Sequence, residues 1–405
     1  MPLLVRMLSE LMWNTEPTGG ETALRISRKA TRGDTRTQNR RFVLQRLFAD
    51  SPTSRADIAR ATGLTRATVS HLIAELIEEG LVLELGTAPS AGGKPPTLLT
   101  ISDDAHHVIA VELEGDRWTG SVMTLRGRII DTLSVDAAGR RGAPAVRAIF
   151  ELVGALTART KQHILGVGIA TPGVVTPKGR VIEATALDWH GTKVGKLVRE
   201  QIGIPTYVIN DASAIALAEF ALGKHGTDNL IVVKVGTGIG AGIILDGRPY
   251  AGEGYAAGEI GHMAIHGASF DGTAETLEGV ASARSIATQL GLSRDPTRSA
   301  SDVFEETARR IGSGDAEARR VVNLAGRHVG AALANVTAIL DIRHIVVAGP
   351  VSRLGSSFLD PLREEISARV LPAVEKGLVV AFGGVERSAE HGAAILVLNR
   401  ELGIL

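Results

Sequence analysis

The period of the hydrophobic pattern changes at Asp103-Asp104, and a chain that changes period there is built from units obeying different packing rules. Before that point apolar residues recur at helical spacing as far as Gly80, with two short strand-like runs after it. Beyond Asp103-Asp104 they gather in short runs that end at glycine or at a polar pair, the style of a sheet with ligand-bearing loops. A length of 405 residues, 44% of them hydrophobic, supplies a separate core for each unit.

In the first unit, from Thr37, three short helices are expected. Asn39 to Phe48 carries the first apolar face, which Asp50-Ser51-Pro52 ends. Ser54-Arg55-Ala56-Asp57 places a hydroxyl three residues before a carboxylate, a capping-box start for Ile58 to Ala61, and Gly63 supplies the turn. Thr65 caps a third helix in which Val69, Leu72, Ile73, Leu76 and Ile77 form one buried stripe. Its opposite face begins with Arg66, Ala67, Thr68, Ser70 and His71, side chains short enough or polar enough to enter a major groove. Gly80 ends that helix, Leu81 to Leu85 and Thr97 to Ile101 read as two strands, and the Gly/Pro-rich stretch Thr87 to Pro96 between them carries Lys94. The succession is that of a winged helix-turn-helix. Residues expected to meet double-stranded DNA are Ser54, Arg55, Thr65, Arg66, Thr68, Ser70, His71 and Lys94.

Charge supports this placement. The 44 Lys and Arg balance the 44 Asp and Glu, yet residues 1–100 hold thirteen basic against ten acidic, and between Arg25 and Arg46 eight basic residues face only Asp34. A local excess of that kind suits a polyphosphate partner. The chain has no cysteine, which excludes disulfides and thiolate-ligated zinc. No apolar run reaches the roughly 18 residues of a membrane span, so a cytoplasmic protein without membrane contact is expected.

In the second unit, runs at Val108 to Leu113, Trp118 to Leu125 and Ile129 to Val135 precede a helix from Pro144 to Lys161. Ile164 to Ala170 runs into Thr171-Pro172-Gly173, and Tyr207-Val208-Ile209 ends at Asn210-Asp211. Leu230 to Val235 enters Gly236-Thr237-Gly238-Ile239-Gly240-Ala241-Gly242, after which Ile243-Ile244-Leu245 resumes and Asp246-Gly247 turns. Such a glycine run is either a phosphate-approaching loop or a tight hairpin, and alone it does not decide between them.

Taken in order, Gly166 to Gly173, Asn210-Asp211-Ala212, Gly236 to Gly242, Gly258-Glu259-Ile260-Gly261-His262 and Leu277-Glu278-Gly279-Val280-Ala281-Ser282 resemble the ROK family of repressors and sugar kinases, as Ser54 to Asp57 and Thr68-Val69-Ser70 resemble its repressor branch. The resemblance implies an α/β fold with a winged helix-turn-helix ahead of a two-lobed, actin-like ATPase (ribonuclease H-like) domain. The expected division is a basic arm at 1–36, the DNA-binding domain at 37–102, a first lobe at 105–220 plus 385–405, and a second at 221–384. By motif position Asn210, Asp211, Glu259, His262 and Glu278 would bind a sugar, with Asp211 the vestige of the kinases' general base. Carboxylates and an amide are the acceptors a polyol needs.

Departures from the family pattern point away from an enzyme. Where the kinases carry Asp-x-Gly-Gly-Thr over the ATP phosphates, this chain has Glu112-Leu113-Glu114-Gly115-Asp116, which sets a carboxylate against a polyphosphate with Arg117 as the nearby cation. Ile345 to Pro350 lacks the paired glycines of an adenosine site. The family's zinc loop has lost every thiolate, leaving His262, His266 and Asp271 as weak substitutes, so His262 must be held in another way. Ala186-Leu187-Asp188-Trp189 replaces an asparagine-bearing segment, so the ligand need not be glucose or N-acetylglucosamine. No cofactor is expected, neither zinc nor ATP. The reading is a transcriptional repressor of carbohydrate metabolism, a homodimer or homotetramer on an operator, controlled by a sugar or sugar phosphate. Its rivals are an active ATP-dependent sugar kinase with a DNA-binding head and a repressor controlled by a protein partner.

Overall fold

The structure, a computed structural model, describes residues 32–87, 95–265, 275–292 and 299–404, with side chains from residue 35 on. The first helix is Arg32–Asp50, longer at its start than its apolar pattern foretells. The added turns have no hydrophobic face; their anchors are ion pairs from Arg36 to Glu75 and, at 2.6 Å, from Arg40 to Glu79 on the third helix. Part of the basic excess read as a polyphosphate contact is therefore spent inside the protein.

Helices Arg55–Thr62 and Arg66–Glu78 follow, the first ending at Gly63 in the left-handed region. Val69, Leu72, Ile73 and Leu76 are buried as their spacing requires. The wing strands are Val82–Thr87 and Thr97–Ile101, and a two-residue strand, Thr53–Ser54, joins the far side of Thr97–Ile101. So short a strand leaves no periodic trace in a sequence. Val43 and Leu47 of the first helix share one continuous apolar cluster with Val397 and Leu402 of the last, so the module is docked on the larger domain rather than tethered to it.

The larger domain holds two five-stranded sheets of the same design. In the first, the strand His106–Glu112 is flanked on one side by the antiparallel pair Arg117–Thr124 and Ile129–Asp136, on the other by the parallel pair His163–Thr171 and Thr206–Asn210. In the second, Leu230–Val235 has Ile239–Leu245 and Arg248–Pro249 antiparallel on one side and His344–Ala348 and Val379–Phe382 parallel on the other. Each central strand is thus joined to its antiparallel neighbour by a short turn. The helix Asp211–Leu222 leaves the first sheet and packs on Ile239–Leu245 of the second, while Ser388–Leu402 returns from the second to pack on that helix and on His163–Thr171. The cleft lies where these crossings bring the strand ends together, the usual place for a ligand in such sheets.

Candidate DNA interface and ligand cleft

On the third helix the Thr65 hydroxyl accepts from the Thr68 backbone N–H at 3.1 Å, and the two threonine hydroxyls lie 2.8 Å apart, so both serve the cap. Arg66, Ser70 and His71 are exposed beside them. Arg66 has no partner among the described residues, whereas His71 Nε2 stands 3.1 Å from Glu75 and Arg55 reaches Glu84 on the wing at 2.8 Å. Ser54 leaves the DNA-reading set. It is 3% exposed, and its hydroxyl is committed to Asp57 in the capping box that its sequence foretold. Lys94 lies outside the described residues.

The cleft gathers its polar residues from separate segments. Asn210 caps the helix Asp211–Leu222, accepting from Ser213 N at 2.9 Å while its amide donates to the Gly173 carbonyl at 3.1 Å, which ties the Thr171-Pro172-Gly173 turn to the helix start. That fixes Asp211, whose Oδ1 accepts from Ala212 N at 2.7 Å. Glu259 precedes the turn Ile260–His262, and His262 ends it. This turn is held without thiolates: Gly258, at φ +94°, lies so close to Ala241 that a Cβ would stand 1.9 Å from its carbonyl, and the Gly258 carbonyl accepts from Ala241 N at 2.7 Å. Beyond it Leu277 N donates to Met263 O at 2.9 Å and Ala264 bridges Thr276, which closes the segment on itself. These backbone contacts are how His262 is placed. His266 and Asp271 lie outside the described residues, and among the described residues no group of three or more His, Asp or Glu could hold a metal ion.

Glu278 reaches the glycine turn, its Oε2 accepting from Ile239 N at 2.9 Å. Burial pushes the Glu259 carboxyl above the ordinary carboxylate range; His262 opposes that shift, and Asp211 and Glu278 reinforce it. The sequence-derived cleft set, Asn210, Asp211, Glu259, His262 and Glu278, therefore converges on one place. The glycine run divides in two. Gly236-Thr237-Gly238 is the hairpin turn, with Val235 opposite Ile239, and Gly242 lies in the strand where a Cβ would stand 2.4 Å from Ala212 O.

One residue of the cleft went unread. Lys234, on the strand before the turn and 7% exposed, donates to Asp211 Oδ2 at 2.8 Å and stands 3.1 Å from Glu114 Oε1, the latter contact lacking hydrogen-bond alignment. It corrects the expectation that Arg117 would compensate Glu114, since the Arg117 guanidinium donates instead to Ser134 Oγ on the neighbouring strand at 2.9 and 3.1 Å. Asp211, Glu114 and Glu112 together hold the buried Lys234 ammonium well above the ordinary lysine range despite its desolvation. Glu112, at the end of its strand, is pushed up to about 8 by burial and then by Glu114. The only signal of Lys234 in the sequence is a lysine inside a valine-rich run, which marks a charge in need of partners.

Comparison with known families matches residues 108–400 to the ROK family and residues 44–85 to the IclR helix-turn-helix domain. A xylose repressor of Caldicellulosiruptor bescii is 31% identical over 350 residues, 82% of this chain and 88% of its own. A glucokinase of Halalkalibacterium halodurans is 29% identical over 295 residues, 66% of this chain and 88% of its own. Among solved structures, a ROK family transcriptional regulator described as a homolog of the E. coli MLC protein covers 91% of this chain and 98% of its own with a TM-score of 0.78 at 23% identity, a likeness of fold.

Proposed function

The chain belongs to the ROK family, and from that premise we propose that it is a sequence-specific DNA-binding repressor of carbohydrate metabolism whose effector is a sugar held in the cleft. One observation carries the reading: a capped helix with an exposed polar face, Arg66, Ser70 and His71, is docked on the same body as a polar cluster of Asn210, Asp211, Glu259, His262 and Glu278 at the strand ends. The similarity to a xylose repressor over both parts favours it, whereas the similarity to a glucokinase covers less of the chain. The division belongs to the same proposal, with the start of the DNA-binding domain moved from 37 to Arg32, where its first helix begins, and the lobes kept at 105–220 plus 385–405 and at 221–384. So does a dimer or tetramer, which would present paired reading helices to a pseudo-palindromic operator.

Phosphoryl transfer is not part of the proposed function. A general base must be able to take the proton of the attacking hydroxyl. Asp211 has one carboxylate oxygen on Lys234 and the other on its own helix start. The same oxygens can still accept from a sugar hydroxyl, because each has a second lone pair. Sugar binding would then act on DNA by preferring one lobe arrangement, and moving a population from 1:99 to 99:1 takes roughly 5.5 kcal/mol of such preference.

The test is selection of an operator from a random duplex pool at fixed salt, followed by titration with sugars. Preference for the selected site over a scrambled duplex should be about a thousandfold or more, and one sugar should change it. Equal affinity for both duplexes would sink the repressor reading, and indifference to every sugar would sink the sensor.

A further inference from the structure

The turns that follow the central strands of the two sheets meet across the cleft. A Cβ added to Gly115 would stand 3.9 Å from Thr237 Oγ1, and one added to Gly236 would stand 2.8 Å from Glu114 Oε1. On Gly238 it would stand 2.5 Å from Glu278 Oε2. The space that glycines open above such a turn, into which a nucleotide phosphate would have to come, is already filled by the chain's own carboxylates. The residues present do not fit a nucleotide.

The charges point the same way. Lys234 is the cation best placed for an arriving phosphate, and it is committed to Asp211 at 2.8 Å and Glu114 at 3.1 Å. Formally it is one positive charge against those two carboxylates, with Glu278 and Glu259 close by, so the cleft mouth carries an excess of negative charge. An anion would meet like charge and a pre-empted counter-ion. An uncharged polyol meets only acceptors for its hydroxyls.

We propose that Glu114 and Lys234 form a specificity filter: the Glu114 carboxylate stands in for a phosphate on the glycine turn, and the pair shuts anionic ligands, nucleotides and sugar phosphates alike, out of a cleft that admits a neutral sugar. This rests on the sugar-sensor reading for the identity of the admitted ligand, but exclusion of anions depends on the filter alone. Glu114→Gly removes the stand-in and leaves Lys234 with Asp211, opening the Glu114 side of the ammonium to another anion. Glu114→Gln keeps the side chain's bulk and removes its charge, and serves if the glycine variant misfolds.

The experiment is calorimetry and thermal shift on the full chain, parent and both variants, with neutral pentoses and hexoses, their monophosphates, and magnesium with a non-hydrolysable ATP analogue. The parent should respond to a neutral sugar and be indifferent to its phosphate and to the nucleotide. Nucleotide affinity should rise from parent through Glu114→Gln to Glu114→Gly, by about tenfold or more overall. Tighter parent binding of a sugar phosphate than of the sugar itself, or equal nucleotide affinity in all three proteins, overturns the filter. If no sugar binds yet the nucleotide order holds, the filter stands and the sugar sensor falls; if the order is also absent, both fall.

Discussion

The reading helix and the cleft use polar residues in opposite ways. On the helix Arg66–Glu78, the side chain at the helix start, Arg66, is exposed and has no partner among the described residues. In the cleft, Lys234 and Asp211 are largely covered and hold each other at 2.8 Å. An unpaired surface group contributes to folding almost nothing and can be spent wholly on a ligand. A buried pair is part of the fold first, and removal of one member leaves the other uncompensated. Mutations in the two regions should therefore separate, with the cleft read in stability and the helix in DNA affinity.

The sharpest break of that contrast is Lys234→Met. It leaves Asp211, Glu114 and Glu112 facing one another with their shared cation gone. Loss of one partner from a buried pair costs about 3–5 kcal/mol, so the urea midpoint should fall steeply. A midpoint within error of the parent would mean the cluster is solvated, and the contrast with the helix would collapse.

The next effect depends on pH. Glu112 ordinarily would titrate near 4.5, and in the folded chain it is pushed up to about 8. Between those values the folded state keeps a proton that the unfolded chain releases, so stability is lost as pH rises through the window and the full penalty is present above 8. Glu112→Gln has no proton to lose. Its stability should match the parent's below about pH 4 and exceed it at pH 9 by on the order of 2 kcal/mol once solvent access to the cleft is allowed for, read as a higher melting temperature at the alkaline end only. Parallel pH profiles for the two proteins would show that Glu112 does not carry the strain.

The same contrast explains what the sequence disclosed. The reading helix is contiguous, and its cap, stripe and polar face follow from spacing alone, as Thr65, Val69, Leu72, Ile73 and Leu76 demonstrate. The longer strand runs are equally legible, because glycine and polar residues mark their ends, whereas Thr53–Ser54, Val181–Ala184, Trp189–Thr192, Arg248–Pro249 and Val379–Phe382 are too short to show a period. The cleft set came through motif order, since Asn210, Asp211, Glu259, His262 and Glu278 lie on segments that periodicity cannot bring together. Lys234 stayed hidden because its partners, Asp211 and Glu114, are 23 and 120 residues away in sequence, and no local rule joins charges at that separation. The early start of the first helix leaves no local trace for the same reason: Arg36 and Arg40 pair with Glu75 and Glu79 of a different helix.

On the reading helix, Arg66→Ala should weaken binding of the selected operator by about 1–3 kcal/mol at fixed salt, the range for one base-reading side chain. Its melting temperature should stay at the parent's, because no contact is lost on folding. Equal losses on operator and scrambled duplex would make Arg66 a phosphate contact rather than a reader. A fall in melting temperature would show that it is paired after all.

Ser54 tests the boundary between the two behaviours. By sequence position it belongs to the DNA-binding motif; by structure it behaves like a cleft residue, buried and with its hydroxyl spent on the Asp57 backbone N–H at 3.2 Å and the Asp57 carboxylate at 2.6 Å. The Asp57 carboxyl is held below the ordinary carboxylate range first by that hydroxyl, so the cap also favours the charged carboxylate at the helix start. Ser54→Ala should then cost about 1 kcal/mol of stability, the usual value of an N-cap, and leave the ratio of operator to scrambled-duplex affinity where it was. Removal of the hydroxyl should also raise the Asp57 pKa, so the loss should be present at neutral pH and shrink as pH falls through the titration of that carboxyl, where the parent loses the same interaction. A changed operator preference at unchanged stability would return Ser54 to the DNA-reading set and move the boundary between head and core by one turn of chain.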